Sequence, residues 1–187
     1  MAEHRLTPLA PLGHAEPIEE RIGPVLIAER TDVAMASVAT RRGWETELAA
    51  RAAQAGLPLP PPGQAAENAP WGSFWLGPEM WMVEAPYATH EDVAAQVKPA
   101  LGEAASVTEQ TDAWVRFEVA GPLKPLFERL CNIDLDRFAP GSATRTLMEH
   151  LGVYVIRRAE DRMTVLGPRS SAGSLHHAIT VAARSAF

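Results

Sequence analysis

The chain has 187 residues, of which 47% are hydrophobic and 21% are charged, and its net charge is −6. These values are typical of a folded globular protein and argue against a nucleic-acid-binding surface, which requires clustered Lys and Arg. The single cysteine, Cys131, excludes an internal disulfide, and no apolar run reaches the length of about 18 residues that a membrane-spanning helix needs. The N-terminal residues also lack the apolar core of a signal peptide, so we expect a cytoplasmic protein.

The N-terminal segment differs in composition from the rest of the chain. Residues 1–22 are rich in Pro, Ala, Glu and His and have neither helical nor strand periodicity. They predict an extended arm that is disordered in a free monomer and lies along a partner in a complex. Residues 23–187 then form the folded domain. Within it, the β-rich residues 25–28 and 33–38 flank a short polar segment and predict a hairpin.

The next part of the chain predicts two helices around an aromatic hairpin. Apolar residues spaced every four positions predict a helix over residues 44–55, and the proline-rich residues 57–63 predict a stiff, extended linker. Residues 71–85 contain two short aromatic runs on either side of a Gly-Pro turn, which predicts a pair of strands. Thr89 and Asp92 form a start signal for a second helix.

The second half of the chain repeats this order of elements. A strand with alternating polar and apolar residues is predicted over residues 113–119. Further strands are predicted at residues 106–109, 144–157 and 163–167. The helical stripe consists of Leu123, Leu126, Phe127 and Leu130, and a final helix is expected after a capping serine, Ser170 or Ser171.

Strands and short helices thus alternate along the chain, and hairpins are present. This pattern predicts an α+β fold with mostly antiparallel sheets. A strand–helix–strand–strand–helix unit in each half predicts two ferredoxin-like lobes, over about residues 23–105 and 106–187.

Candidate chemical sites in the sequence have structural interpretations. His176 and His177 are adjacent, so on a helix they point about 100° apart and are poorly placed to share a metal ion. Residues 134–136 (D-L-D) lack the other ligands of a calcium loop, and residues 167–171 lack the lysine of a phosphate loop. The sequence contains no G-x-G-x-x-G, which argues against a dinucleotide-binding fold. We therefore expect no catalytic, cofactor-binding or metal-binding residue on this chain.

Aromatic and arginine side chains are the candidates for a partner-binding surface, where Trp and Arg are common anchors. Trp75 and Trp81 are interpreted as core residues of a lobe. The predicted interface residues are Trp71, Phe74, Arg116, Arg145 and Arg157.

Several short segments resemble known proteins. Residues 75–81 (W-L-G-P-E-M-W) look like the L-G-P-x-x-W turn of the aminomethyltransferase family, to which the glycine-cleavage T protein belongs. Residues 107–112, followed by G-P at 121–122, resemble the V-T-D-x-S-D … G-P segment of that family. Residues 131–135, 145–150 and 166–172 are similar, more narrowly, to the sarcosine oxidase gamma-subunit family. The resemblance covers roughly residues 70–187.

The resemblance implies an aminomethyltransferase-like fold and a non-catalytic gamma subunit of a heterotetrameric enzyme. In that family the enzyme oxidises sarcosine to glycine and passes the one-carbon unit to tetrahydrofolate. FAD, FMN, NAD and tetrahydrofolate bind to other subunits, so the resemblance implies no cofactor on this chain. The gamma chain packs directly on the alpha subunit, in a complex that also contains beta and delta subunits.

Other functions remain open at this point. A complete aminomethyltransferase is a longer chain that uses an acidic residue in its folate pocket, and this sequence has no evident counterpart of that residue. The chain is alternatively a free-standing folate-binding or aminomethyl-transfer protein, or a subunit of a related enzyme such as N-methylglutamate dehydrogenase. A general binding module without an enzyme partner is a third interpretation.

Overall fold

The computed structural model describes residues 7–187, which form eleven strands and four α-helices. The strands are β1 Glu19–Ile22, β2 Val25–Glu29, β3 Val33–Thr40, β4 Ala65–Asn68, β5 Trp71–Gly77, β6 Met80–Pro86, β7 Ala105–Glu109, β8 Trp114–Ala120, β9 Ala143–Met148, β10 Leu151–Ala159 and β11 Arg162–Pro168. The helices are α1 Glu45–Gln54, α2 Val93–Leu101, α3 Leu123–Leu130 and α4 Ala172–Ala186. Short 3-10 turns at Gly102–Ala104, Thr111–Ala113 and Arg169–Ser171 join some of them.

The strands form two antiparallel sheets, which confirms the predicted α+β class. The six-stranded sheet has the order β1-β2-β8-β11-β10-β9, and the five-stranded sheet has the order β4-β5-β6-β3-β7. Each pair of neighbouring strands within these sheets runs antiparallel. Within residues 7–187, no helix is long and apolar enough to span a membrane.

The sheets pack face to face, and helices cover their outer faces. Phe117 of β8 packs with Phe127 of α3 and Ile179 of α4 in the largest core cluster. A second cluster joins α1 and α2 to β3 and β6. Between the sheets, buried side chains of both form a third cluster, to which Phe74 and Ile156 belong. Core side chains that point away from the helices therefore meet the other sheet.

The predicted hairpin between β2 and β3 is wrong. Ile27 of β2 pairs with Val119 of β8, whereas Val38 of β3 pairs with Trp81 of β6. The reason lies in the two helix-covered cores, since Ile27 is buried with the α3–α4 core and Val38 with the α1–α2 core. The two sheets therefore do not divide the chain at residue 105, the predicted boundary between lobes.

The predicted long strand over residues 144–157 is two strands. β9 and β10 form a hairpin in which Met148 pairs with Leu151. Glu149 and His150 make the tight turn between them, with φ angles of 46° and 69°. Left-handed conformations at both central positions suit the twist of a two-residue hairpin. The turn was not predicted because Glu149-His150 stands in place of the Asn-Gly or Asp-Gly that is typical of such turns.

Other predicted elements are confirmed with small shifts. The aromatic hairpin is β5–β6, and α3 buries the predicted stripe of leucines and Phe127. Asp92 caps α2, because its carboxylate accepts a hydrogen bond from the backbone N–H of Ala95 at 2.8 Å. Ser171 precedes α4, but its side chain makes no capping hydrogen bond with the described residues.

The predicted N-terminal arm is described from residue 7 onward, and residues 1–6 of it lie outside the described part of the chain. Residues 7–18 contain neither helix nor strand, while the last residues of the predicted arm form β1. The buried carboxylate of Glu29 accepts hydrogen bonds from the backbone N–H groups of Leu12 and Ile18, at 2.9 and 3.1 Å. Residues 7–18 are thus tied to the six-stranded sheet.

Candidate functional site

A cluster of charged side chains lies buried between the two sheets. Glu84 of β6 and Arg116 of β8 are only 6% and 8% exposed. The Glu84 carboxylate accepts a hydrogen bond from Nη1 of Arg116 and another, at 2.5 Å, from Nη2 of Arg158 on β10. Nε of Arg158 donates to Oγ1 of Thr164 at 3.1 Å. One carboxylate therefore joins two guanidinium groups across the interface between the sheets.

Strand alternation places these side chains. Val115, Phe117 and Val119 of β8 point to the helices, so Arg116 points to the opposite face of the sheet. The sequence predicted this alternation, but it did not predict that a second sheet covers the polar face. Arg116 is consequently buried and has Glu84 as its partner.

The charges of the two arginines determine the protonation of Glu84. Burial by itself raises the pKa of this carboxyl, but the positive charges of Arg116 and Arg158, together with their hydrogen bonds, outweigh burial. The pKa of Glu84 is therefore lower than that of an ordinary glutamate, and the group stays ionised. Similarly, burial lowers the pKa of Arg158, while the Glu84 charge more than restores it.

Acid should weaken this cluster. Because the folded state lowers the pKa of Glu84, its stabilising contribution is complete above the unfolded glutamate pKa of about 4.3 and is lost as the pH falls through the folded value. We expect the free energy of unfolding to fall as the pH is lowered below about 5, and to fall less steeply in Glu84→Gln. Urea unfolding at several pH values checks this, and equal pH slopes for the two proteins would contradict it.

Two clefts flank the charged cluster, and Arg116 lines both. The first, here called the arm cleft, lies between residues 8–17 and the two sheets and has a volume of about 370 Å³. The second, here called the polar cleft, has a volume of about 410 Å³ and is lined by Glu67, Glu84, Glu118 and Arg158, among others. These clefts and the cluster between them form the candidate site.

Two of the predicted interface residues are internal. Phe74 is fully buried between the sheets, with its ring centroid 5.8 Å from that of Tyr154. Arg116 belongs to the buried cluster. Both must therefore be removed from the predicted outer surface, because the opposing sheet covers them. Trp75, by contrast, was interpreted as a core residue and is only half-buried.

The other three predicted interface residues have different surroundings. Trp71 is half-buried, lines the polar cleft and packs edge-to-face on the ring of His90, at a centroid distance of 4.9 Å. Arg145 is exposed, with its guanidinium carbon 5.9 Å from the centroid of the Tyr154 ring. Arg157 donates to the carbonyls of residues 135 and 138, at 2.9 and 2.6 Å, and so holds the loop before β9.

Glu84, Arg158 and Glu29 were not predicted from the sequence. A signal was present for Glu84, which stands between Val83 and Ala85 in a strongly apolar strand. A single charge inside an apolar strand is rarely buried without a partner of opposite charge. The identity of that partner could not be read from the sequence, because Glu84 and Arg116 lie in different sheets.

The histidine and aspartate motifs make local contacts. Nε2 of His176 lies 3.4 Å from a carboxylate oxygen of Glu20. Asp136 pairs with Nζ of Lys124 at 2.6 Å, and Asp134 accepts a hydrogen bond from the backbone N–H of Asp136. Across residues 7–187, no group of three or more His, Cys, Asp or Glu side chains is placed to hold a metal ion.

Comparison with solved structures shows the fold. The chain is similar to a chain of heterotetrameric sarcosine oxidase from Corynebacterium sp. U-96 in complex with pyrrole 2-carboxylate. The TM-score is 0.74 at 23% identity, covering 89% of this chain and 87% of that chain. It is also similar to glycine cleavage system aminomethyltransferase T from Bartonella henselae, with a TM-score of 0.59 at 14% identity. This chain has their fold.

The expected aminomethyltransferase-like fold is thereby confirmed. The second match covers 83% of this chain but 48% of the aminomethyltransferase, so this chain spans about half the length of that protein. The sarcosine oxidase chain is matched over most of its length. No protein-family model and no curated protein matches the sequence.

Proposed function

We propose that this chain is a non-catalytic, gamma-type subunit of a heterotetrameric sarcosine oxidase. The observation that carries the proposal is the match to a chain of such an oxidase over 87% of that chain's length, with a TM-score of 0.74. The short motifs that resemble the gamma-subunit family point in the same direction. In this proposal the chain packs on the alpha subunit, in a complex with beta and delta subunits, while FAD, FMN, NAD and tetrahydrofolate bind to the other chains.

The charged cluster supports a structural role. A carboxylate that acts as a general acid or base needs a pKa near the working pH. Arg116 and Arg158 both donate hydrogen bonds to the Glu84 carboxylate and lower its pKa, which moves this pKa away from neutral pH. Glu84 is therefore suited to joining the two sheets and poorly suited to proton transfer.

The edge strand β9 is the surface that we propose for the alpha subunit. It is the last strand of the six-stranded sheet, so one of its sides lacks a neighbouring strand in that sheet. Arg145 and Leu147 lie two residues apart and point to the same face, and Leu147 is 64% exposed. An exposed apolar side chain beside an arginine on a sheet edge suits a protein interface.

Co-expression tests this function. We expect the alpha, beta and delta chains to form a less stable complex with lower activity and flavin content when this chain is omitted, because a partner that binds the folded assembly stabilises it. Flavin absorbance, thermal unfolding and sarcosine-dependent oxygen consumption measure these effects. Unchanged values without this chain would overturn the proposal.

A matched pair of variants tests the proposed surface. Leu147→Asp should reduce co-purification with the alpha chain, since it places a charge in the interface. Val181→Asp changes an exposed apolar residue of α4, at 48% exposure, and should leave co-purification unchanged. Equal behaviour of the two variants would exclude β9 as the contact while leaving the subunit assignment intact.

A free-standing folate-binding or aminomethyl-transfer protein is the second candidate, which the similarity to aminomethyltransferase T favours. It predicts that the isolated chain binds tetrahydrofolate, which calorimetry measures directly. If the chain belongs instead to a related N-methylglutamate dehydrogenase, the assembled complex should oxidise N-methylglutamate faster than sarcosine.

A further inference from the structure

The segment that precedes β1 lies against the folded domain but contributes little to its cores. Of the twelve residues 7–18, only Ala10 is buried, and Leu12 packs partly against the α3–α4 core. Leu9 is 50% exposed. The arm cleft, of about 370 Å³, lies between this segment and the sheets, so the two surfaces do not close tightly on one another. Because stabilisation by burial grows with the apolar area removed from water, packing holds residues 7–18 only weakly.

Hydrogen bonds to Glu29 provide most of the remaining attachment. Its carboxylate accepts from the backbone N–H groups of Leu12 and Ile18, at 2.9 and 3.1 Å, and its own N–H donates to the carbonyl of Ile18 at 2.8 Å. A further hydrogen bond, from Nη2 of Arg169 to the carbonyl of Leu9 at 2.7 Å, attaches the other end of the segment. Three of these four hydrogen bonds involve Glu29.

The surroundings of Glu29 depend on this segment. Glu29 is 3% exposed, although it makes no ion pair within residues 7–187. A buried carboxylate without a cation is unfavourable unless hydrogen-bond donors replace its water. The N–H groups of Leu12 and Ile18 are those donors. If residues 7–18 moved away, water would hydrate the carboxylate again, so opening costs far less free energy than exposing an apolar core.

We propose that residues 7–18 form a strap that opens and closes as a unit while both sheets stay folded, with the Glu29 carboxylate as the group that holds it closed. Opening uncovers Met35 and Trp114, which line the arm cleft and also contact the core between the sheets. The strap thus controls access to the space between the sheets. Glu29 lies in β2, next to the edge strand β1, whereas β9 is the opposite edge, so this inference does not depend on the proposed alpha-subunit surface.

Hydrogen exchange on the purified full-length chain tests the strap without any substitution. In ¹H–¹⁵N spectra, the amides of Leu12 and Ile18 should exchange at least about a hundredfold faster than the slowest amides of β8, because local opening requires less free energy than global unfolding. Their rates should also respond little to low concentrations of urea, since opening of the strap exposes little surface. If these two amides exchanged as slowly as those of β8, the segment would leave only on global unfolding, and the proposal would be overturned.

Glu29→Gln and Glu16→Gln are the matched pair of variants. Gln has one acceptor oxygen in place of two, so its NH₂ group would face a backbone N–H of the strap. Glu29→Gln should therefore speed the exchange of Leu12 and Ile18 about tenfold or more, while the amides of β8 remain the slower set. Glu16 is an exposed residue of the strap itself, and Glu16→Gln should leave these rates unchanged. Equal rates in the two variants, or loss of the folded β8 signals in Glu29→Gln, would each contradict the proposal.

Discussion

Replacing Glu84 with Gln should lower the free energy of unfolding by about 3–5 kcal/mol. Glu84 is 6% exposed, and its carboxylate accepts hydrogen bonds from Arg116 and Arg158. A neutral amide leaves these two guanidinium groups buried without their counter-ion, and removing one partner of a buried ion pair is strongly destabilising. Urea unfolding followed by circular dichroism measures the change, with an unchanged dependence on denaturant indicating that compactness is preserved.

Glu103→Gln is the matched control for this substitution. Glu103 also pairs with an arginine, Arg41, but its side chain is 71% exposed. An exposed ion pair contributes about 0–1 kcal/mol, so this variant should unfold close to the unmodified chain. A loss of less than about 1 kcal/mol in Glu84→Gln as well would mean that the cluster is not what joins the sheets.

Replacing Gly121 with Ala should lower the free energy of unfolding by about 2–4 kcal/mol. This glycine has a φ of 129°, which side-chain-bearing residues rarely adopt. An added Cβ would lie 2.6 Å from the carbonyl oxygen of Pro24 and 3.2 Å from Cα of Val25. These are backbone atoms at the turn into β2, so relief of the clash requires movement of the sheet itself. Thermal and urea unfolding measure the loss.

Gly173→Ala is the corresponding control on α4. A Cβ at this position would meet no described atom within 4 Å, and the residue is helical and exposed. Alanine should therefore stabilise the chain by about 0.5–1 kcal/mol, because it restricts the unfolded backbone and favours the helix. Similar effects of the two substitutions on the free energy of unfolding would show that the close approach of Pro24 and Val25 does not exclude a side chain at Gly121.

The Gly121-Pro122 pair shows how far local sequence information extends. The helical stripe that begins at Leu123 was predicted from the sequence, and α3, which follows this pair directly, begins at that residue. The close approach of Pro24 to Gly121 could not be predicted, because the two residues are far apart in the chain. The same holds for the pairing of β2 with β8, since the local pattern predicted a hairpin between β2 and β3.

The candidate site was predicted in part. Arg116 was selected from the sequence, but as a residue of the outer surface. Its burial depends on a second sheet that packs on the polar face of β8. Glu84 and Arg158 were missed because a charge in a strand has no fixed sequence distance to its partner. The arm cleft was missed for the same reason, since Arg30, Trp114 and Arg169 come from separate parts of the chain.

The sequence by itself determined the α+β class and the main apolar stripes, such as that of α3, because these depend on periodicities of two and 3.6 residues within short segments. Only the tertiary structure decided which strands pair, which face of β8 is covered and how Glu84 meets two arginines. The physical reason is that pairing and burial depend on contacts between distant segments, and many strand orders satisfy the same local pattern. Only the packed sheets distinguish a buried arginine from an exposed one.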